Sequence, residues 1–149
     1  MNDPGASVHA AIAALQHLTQ LFGDRRAQLA EAADLTEQQW QVLEEIATDH
    51  FMPSMFARTR DSSAPAVSRT LRQLLEKDLV AVSVSPDDGR QRKYGLTARG
   101  TRTMARLRTA RQDAIDAIWM DLDPAHVRAF TRFAQKLSDR LERYLERPD

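Results

Sequence analysis

Few side chains in this sequence combine the type and spacing that bond-making chemistry needs, and the exceptions are charged rather than nucleophilic. There is no cysteine, which excludes disulfides, thiol redox sensing and thiolate zinc sites. The four histidines, His9, His17, His50 and His126, are scattered, and none falls in an HExxH or similar ligand spacing. His9 and His17 are about two helical turns apart and could share a face, but they read better as surface or interface histidines. Asp87-Asp88 is a carboxylate pair, yet it belongs to an exposed turn beside arginines. There is no nucleophile elbow, no Gly-rich phosphate loop and no metal triad, so neither catalysis nor a cofactor is expected. What remains is arginine, unevenly placed. Residues 1–50 hold 2 basic and 8 acidic side chains, residues 51–111 hold 13 and 5, and residues 112–149 hold 6 and 8, although the whole chain is neutral. A basic middle between acidic ends offers local positive charge to an anionic partner, whatever the net charge. Taken alone it is equally compatible with a solvated basic face.

A chain of 149 residues, 42% hydrophobic and 28% charged, suits one globular domain with a substantial core. No apolar run is long enough for a membrane span, and Met1-Asn2-Asp3-Pro4-Gly5 lacks the order of a signal peptide. A cytoplasmic protein with no membrane partner is expected.

The elements that must position the arginines follow from periodicity and caps. Val8, Ile12, Leu15, Leu18, Phe22 and Leu29 recur at helical spacing, predicting a helix from Ser7 to Ala33, capped by Ser7 and bent near Gly23. Thr36 followed by Gln39 is a capping box, with Leu35 and Trp40 placed for a hydrophobic staple. This second helix should run to about Asp49 with Trp40, Leu43, Ile46 and Ala47 inward. Pro53 suits the first turn of a short helix reaching Arg60. Ser63 should cap the next helix, with Pro65 in its first turn and Val67, Leu71, Leu74 and Leu75 as one buried stripe. Ser68, Arg69, Arg72 and Gln73 then lie mainly on other faces. Asp78 stands where that helix should stop. The period changes to two over Leu79–Val84, Pro86-Asp87-Asp88-Gly89 reads as a turn, and Arg90–Leu96 as the returning strand. Thr97 caps a helix from Ala98 to about Met120, with a stripe of Met104, Leu107, Ala114, Ile115, Ile118 and Leu122. Asp123-Pro124 opens a last helix carrying Val127, Phe130, Phe133, Leu137, Leu141, Tyr144 and Leu145 along one side. A short helix, a tight turn and a second helix with a basic outer face make a helix-turn-helix. Such a second helix fits the DNA major groove, and a following hairpin can carry arginine to the minor groove.

Three stretches resemble the MarR family of regulators. Leu35-Thr36-Glu37-Gln38-Gln39-Trp40-Gln41-Val42-Leu43 is similar to the start of the family's second helix. Val67-Ser68-Arg69-Thr70-Leu71-Arg72-Gln73-Leu74-Leu75-Glu76-Lys77-Asp78-Leu79-Val80 is similar to its recognition helix. Ser85-Pro86-Asp87-Asp88-Gly89-Arg90, continuing to Leu96-Thr97-Ala98-Arg99-Gly100, is similar to its wing and the helix after it; here Asp-x-Arg and Leu-Thr-x-x-Gly are the most specific elements. The resemblance implies a mainly α fold with a small β-hairpin wing: one domain over 1–149, a winged helix-turn-helix lobe at 36–97, and dimerisation helices at 7–33 and 98–146. It implies a sequence-specific regulator, by family habit a repressor, acting as a homodimer on an inverted repeat in double-stranded DNA.

By that likeness Arg90 is the wing arginine that enters the minor groove and Asp88 the carboxylate that orients it. Ser63, Pro65, Ala66, Ser68, Arg69 and Arg72 match the exposed edge of the recognition helix, and Gln73 joins them as a candidate DNA contact. Arg92 and Lys93 are weaker candidates for backbone contacts. The family also implies release by a small aromatic effector, for which Leu18, Phe22, Trp40, Met52, Met55 and Phe56 are candidate lining residues, although aromatic and Met stripes are usually packing. Arg60 and Ser62 stand where the family usually has apolar residues, Asp61 where it has a small turn residue, and Asp78 where glycine is commoner. Either the short helix is loosely held or Arg60 points to phosphate. The competing readings are a helical protein-interaction module and a DNA-binding protein with neither sequence preference nor effector.

Overall fold

The computed structural model describes residues 4–84, 89 and 91–147. They form two compact units, Met1–Thr109 and Ala110–Asp149. The first holds α1 (Pro4–Ala32), α2 (Glu37–Ile46), α3 (Pro53–Thr59), α4 (Ala64–Glu76), β1 (Val80–Val84), β2 (Arg92–Leu96) and the first half of α5 (Ala98–Trp119). The second holds the rest of α5 and α6 (Pro124–Leu145). The expected order of helices and hairpin is the observed one.

Boundaries differ in instructive ways. α1 starts at Pro4, ahead of the expected Ser7, and is one helix through Gly23. Around Gly23 a Cβ would meet nothing, so no close packing acts there to divide the helix. α2 ends at Ile46, short of the expected Asp49, because Asp49 takes a positive φ of 61° and cannot continue a right-handed helix. The strands begin at Val80 and Arg92 rather than Leu79 and Arg90. They pair antiparallel from Val80↔Leu96 to Val84↔Arg92. Of the expected reversal at Pro86–Gly89, all but Gly89 lies outside the described residues.

The core belongs to the first unit. Trp40, Val42, Leu43 and Ile46 from α2 pack with Phe56 and Ala57 from α3 and Val67, Leu71 and Leu74 from α4, closed by Leu79 and Val80. Burying each large apolar side chain contributes about 1.5–3 kcal/mol. Leu75, expected in the α4 stripe, is instead exposed, and Thr70 is buried in its place. Thr70 can be buried because its hydroxyl donates back to the Ala66 carbonyl at 3.1 Å, which leaves no unpaired polar group. The capping box at α2 forms as expected: Thr36 Oγ1 accepts from Gln39 N, and Gln39 Oε1 accepts from Thr36 N, both at 3.1 Å.

The hairpin is tied to the helix that follows it at one point. Thr97 N donates to the Leu79 carbonyl at 3.1 Å, and Thr97 Oγ1 donates to the Asp78 carbonyl at 2.6 Å while accepting from Gly100 N at 3.0 Å. Gly100 allows this approach, because a Cβ there would overlap the Leu79 carbonyl oxygen. The Leu-Thr-x-x-Gly pattern is therefore the joint between β1, β2 and α5.

Candidate nucleic-acid interface

α4 owes its position to its buried stripe and to its cap. Ser63 Oγ accepts from Ala66 N at 3.2 Å, which commits one lone pair and leaves the hydroxyl proton free to donate outward. With Val67, Leu71 and Leu74 fixed inward, the opposite edge of the helix is set. Ser63, Pro65, Ser68, Arg69 and Arg72 are exposed, and Ala66 is half-buried. Positions 65, 68, 69 and 72 fall on one face at helical spacing. The result is a two-arginine edge with short side chains between, standing on a rigid helix.

Gln73 is held differently. Its Oε1 accepts from Gln39 Nε2 at 2.9 Å, and Gln39 is buried. Lys77 Nζ reaches Gln39 Oε1 at 3.4 Å and also donates to the Asp34 carbonyl. Gln73 thus belongs to a polar seam that joins α4 to α2 and to the end of α1.

The polar residues around α3 have partners. Arg60 Nη2 meets Glu45 Oε1 at 3.1 Å, across to α2. Ser62 N donates to the Ala57 carbonyl at 2.8 Å, and its hydroxyl accepts from Gln38 Nε2 at 3.5 Å. Asp61 takes the left-handed conformation at φ 49°. Where apolar area is missing, side-chain pairing across the α2–α3 seam substitutes for it, and Arg60 is directed at Glu45. Both Arg60 and Glu45 are more than a third exposed, so the pair contributes about 1 kcal/mol at most.

On the hairpin, Arg92 and Lys93 are exposed on β2. Asp88 and Arg90 lie outside the described residues. The root of the hairpin is held by an aromatic cluster that sequence reasoning did not single out. The Phe51 ring lies 5.8 Å from Phe56 and, edge-on, 5.9 Å from Tyr94.

The six candidate effector-lining residues separate into two groups. Met52, Met55 and Phe56 line a cavity of about 400 Å³ together with His50, Phe51, Thr59, Glu45 and Arg60. Trp40 does not open onto it: it is 1% exposed, and the Arg26 guanidinium lies over its ring at 4.1 Å. Arg26 also meets Glu44 at 3.5 Å, so Trp40 sits at the α1–α2 contact. Leu18 and Phe22 are exposed on α1 and are not part of the cavity lining. Among the described residues no group of three or more potential ligands could hold a metal ion, and no helix is long and apolar enough to cross a membrane. His9 Nδ1 donates to the Gly5 carbonyl at 2.7 Å.

Residues 33–91 match the sequence model of the MarR family. No curated protein matches the chain. Among solved structures, the MarR family transcription regulator SP03579 superposes with a TM-score of 0.82 at 14% identity, covering 97% of this chain and 96% of that one. YusO from Bacillus subtilis gives 0.76 at 19% identity, covering 93% and 99%. A mutant of S. aureus MepR bound to an oligodeoxyribonucleotide gives 0.66 at 19% identity, covering 88% and 97%, and MepR bound to ethidium bromide gives 0.61 at 20% identity, covering 85% and 95%. Residues 33–91 thus carry the sequence signature of the MarR family, and over nearly its full length the chain has the winged helix-turn-helix fold of these structures.

Proposed function

We propose that this chain is a sequence-specific, DNA-binding transcription repressor that acts in the cytoplasm as a homodimer on an inverted-repeat operator. The observation that carries this reading is the exposed Ser68–Arg69–Arg72 edge of α4, held outward by a fully buried stripe. Arginine can read guanine through two hydrogen bonds in the major groove, and Ser63 and Ser68 suit phosphate or base-edge contacts. Arg92 and Lys93 would meet the backbone, and by likeness Arg90, oriented by Asp88, would enter the minor groove. The relative bound to an oligodeoxyribonucleotide supports the same reading.

A dimer is supported by exposed apolar side chains at helical spacing: Val8, Ile12 and Phe22 on α1, Ile115 and Ile118 on α5, and Phe130, Phe133, Leu137 and Leu141 on α6. Apolar faces of this extent mark association surfaces. Selection of DNA from a random pool by the purified protein, at near-physiological salt, tests the proposal. An enriched inverted repeat with half-sites about one helical turn apart is expected; no enrichment would overturn sequence-specific regulation.

A second reading adds a small aromatic effector. It is favoured by the cavity at Met52, Met55 and Phe56 and by the ethidium-bound relative. Displacement of selected DNA by aromatic compounds, lost on Met55→Asp in a variant that still binds DNA, checks it.

A further inference from the structure

A second concavity in the first unit is unlike the apolar one. It has a volume of about 410 Å³ and is lined by Asp34, Lys77, Arg99, Arg102, Thr103 and Arg106 among others. Arg99, Arg102 and Arg106 follow one another at i, i+3 and i+7, so α5 presents them on one face, spread along about 10 Å of helix. The carboxylate in the cleft is already engaged: Asp34 Oδ2 lies 3.5 Å from Lys77 Nζ. Among the described residues none of the three arginines has an ion-pair partner.

Their position on α5 makes this arrangement costly. The first turn of a helix carries the positive end of the macrodipole and unpaired N–H groups, and acidic side chains are favoured there. The first turn of α5 holds no acidic residue but does hold Arg99, one turn ahead of Arg102. Gly100, fixed against Leu79, keeps this turn in place beside Lys77. The charge of the three arginines is thus concentrated in a concave, partly enclosed place whose one carboxylate, Asp34, is paired with Lys77, an arrangement that attracts anions. The cleft lies away from the α4 edge: Lys77 follows the last turn of α4, whereas Ser63 to Arg72 occupy its beginning and middle.

We propose that this cleft binds a small organic or inorganic anion carrying two or more separated negative groups, phosphate or carboxylate, gripped by Arg102 and Arg106 with Arg99 completing the charge. Guanidinium groups pair with either kind of oxyanion through two parallel hydrogen bonds. Three cations in line favour a multivalent anion over chloride or a lone carboxylate.

Calorimetric titration of the full chain at about 0.15 M salt, where exposed charges are screened, tests this with pyrophosphate and with citrate as probes, against sodium chloride of matched ionic strength. Saturable binding of at least one probe is expected, and which one binds tells phosphate from carboxylate recognition. Arg102→Gln/Arg106→Gln should weaken that binding about tenfold or more, while circular dichroism shows an unchanged melting temperature without ligand, since both side chains are exposed. Arg69→Gln/Arg72→Gln should bind the probe as the parent does. No saturable binding of either probe would overturn the proposal. So would binding that survives Arg102→Gln/Arg106→Gln, or an equal loss in the Arg69→Gln/Arg72→Gln variant, which would assign the anion to the α4 edge.

Discussion

Arg69 and Gly100 show two kinds of single-residue dependence. Arg69 is exposed on a helix whose other side is buried, so its removal should leave the fold alone. Arg69→Ala is expected to change thermal stability by less than about 0.5 kcal/mol. It should cost about 1–3 kcal/mol in binding to a selected operator and relax preference at one base position. Fluorescence anisotropy against the operator and single-base variants of it measures both; equal weakening on every sequence would reassign Arg69 to phosphate. Gly100 is the opposite case. Gly100→Ala places a methyl group on the Leu79 carbonyl oxygen, a backbone atom that cannot swing aside. We expect a loss of about 1–3 kcal/mol, at the upper end of overpacking costs, read as a lower urea midpoint; an unchanged midpoint would mean that α5 shifts freely against β1. The Leu-Thr-x-x-Gly pattern was legible as a resemblance, but the role of Gly100 in it was not, because Leu79 and Gly100 meet only once the hairpin has closed between them.

At the scale of elements, caps and starts were readable because their chemistry is local. Thr36–Gln39, Ser63–Ala66 and Asp123–Ala125 each form a cap within a few residues of chain. Contacts across the fold were not readable: the Gln39–Gln73 hydrogen bond joins residues 34 apart in sequence, so periodicity could not name the partner of Gln73. Likewise the arginines of early α5 were counted within a basic middle segment, with no sign that they share a cleft with Lys77. Helix ends reveal a repeated device. Asp34, Asp49, Asp61 and Asp78 follow α1, α2, α3 and α4, and all four adopt positive φ, from 49° to 61°. For an L-residue this conformation costs about 1–2 kcal/mol, somewhat less for Asp, whereas glycine adopts it freely but loses about 0.4–1 kcal/mol through a more flexible unfolded chain. Asp78→Gly should therefore stabilise by about 0.5 kcal/mol, since the bond from Thr97 goes to the Asp78 backbone and is kept. Asp34→Gly should gain less, because it also loses the ion pair with Lys77. Comparing the two denaturation midpoints checks the order; a larger gain at Asp34 would contradict it.

At the scale of the molecule, the long apolar stripes of α5 and α6 were legible from spacing, and the chain leaves Ile115, Ile118 and Leu122 and most of the α6 stripe exposed. α6 has no buried residue, and Phe133, Leu141 and Tyr144 are all more than half exposed. On the proposed dimer, Phe133→Asp/Leu141→Asp should give a monomer by analytical ultracentrifugation and weaken operator binding by orders of magnitude, because a single lobe would grip one half-site alone. A dimer that persists in this variant would place the interface elsewhere. A helix with no fully buried residue within its own chain has a further consequence. In the proposed dimer its share of stability would come by mass action, so the melting temperature should rise with protein concentration, and a cell with few copies would hold a less durable protein than a cell with many. Abundance would then feed back on lifetime: dilution at each division would expose α6, and a falling level of the protein would hasten its own loss.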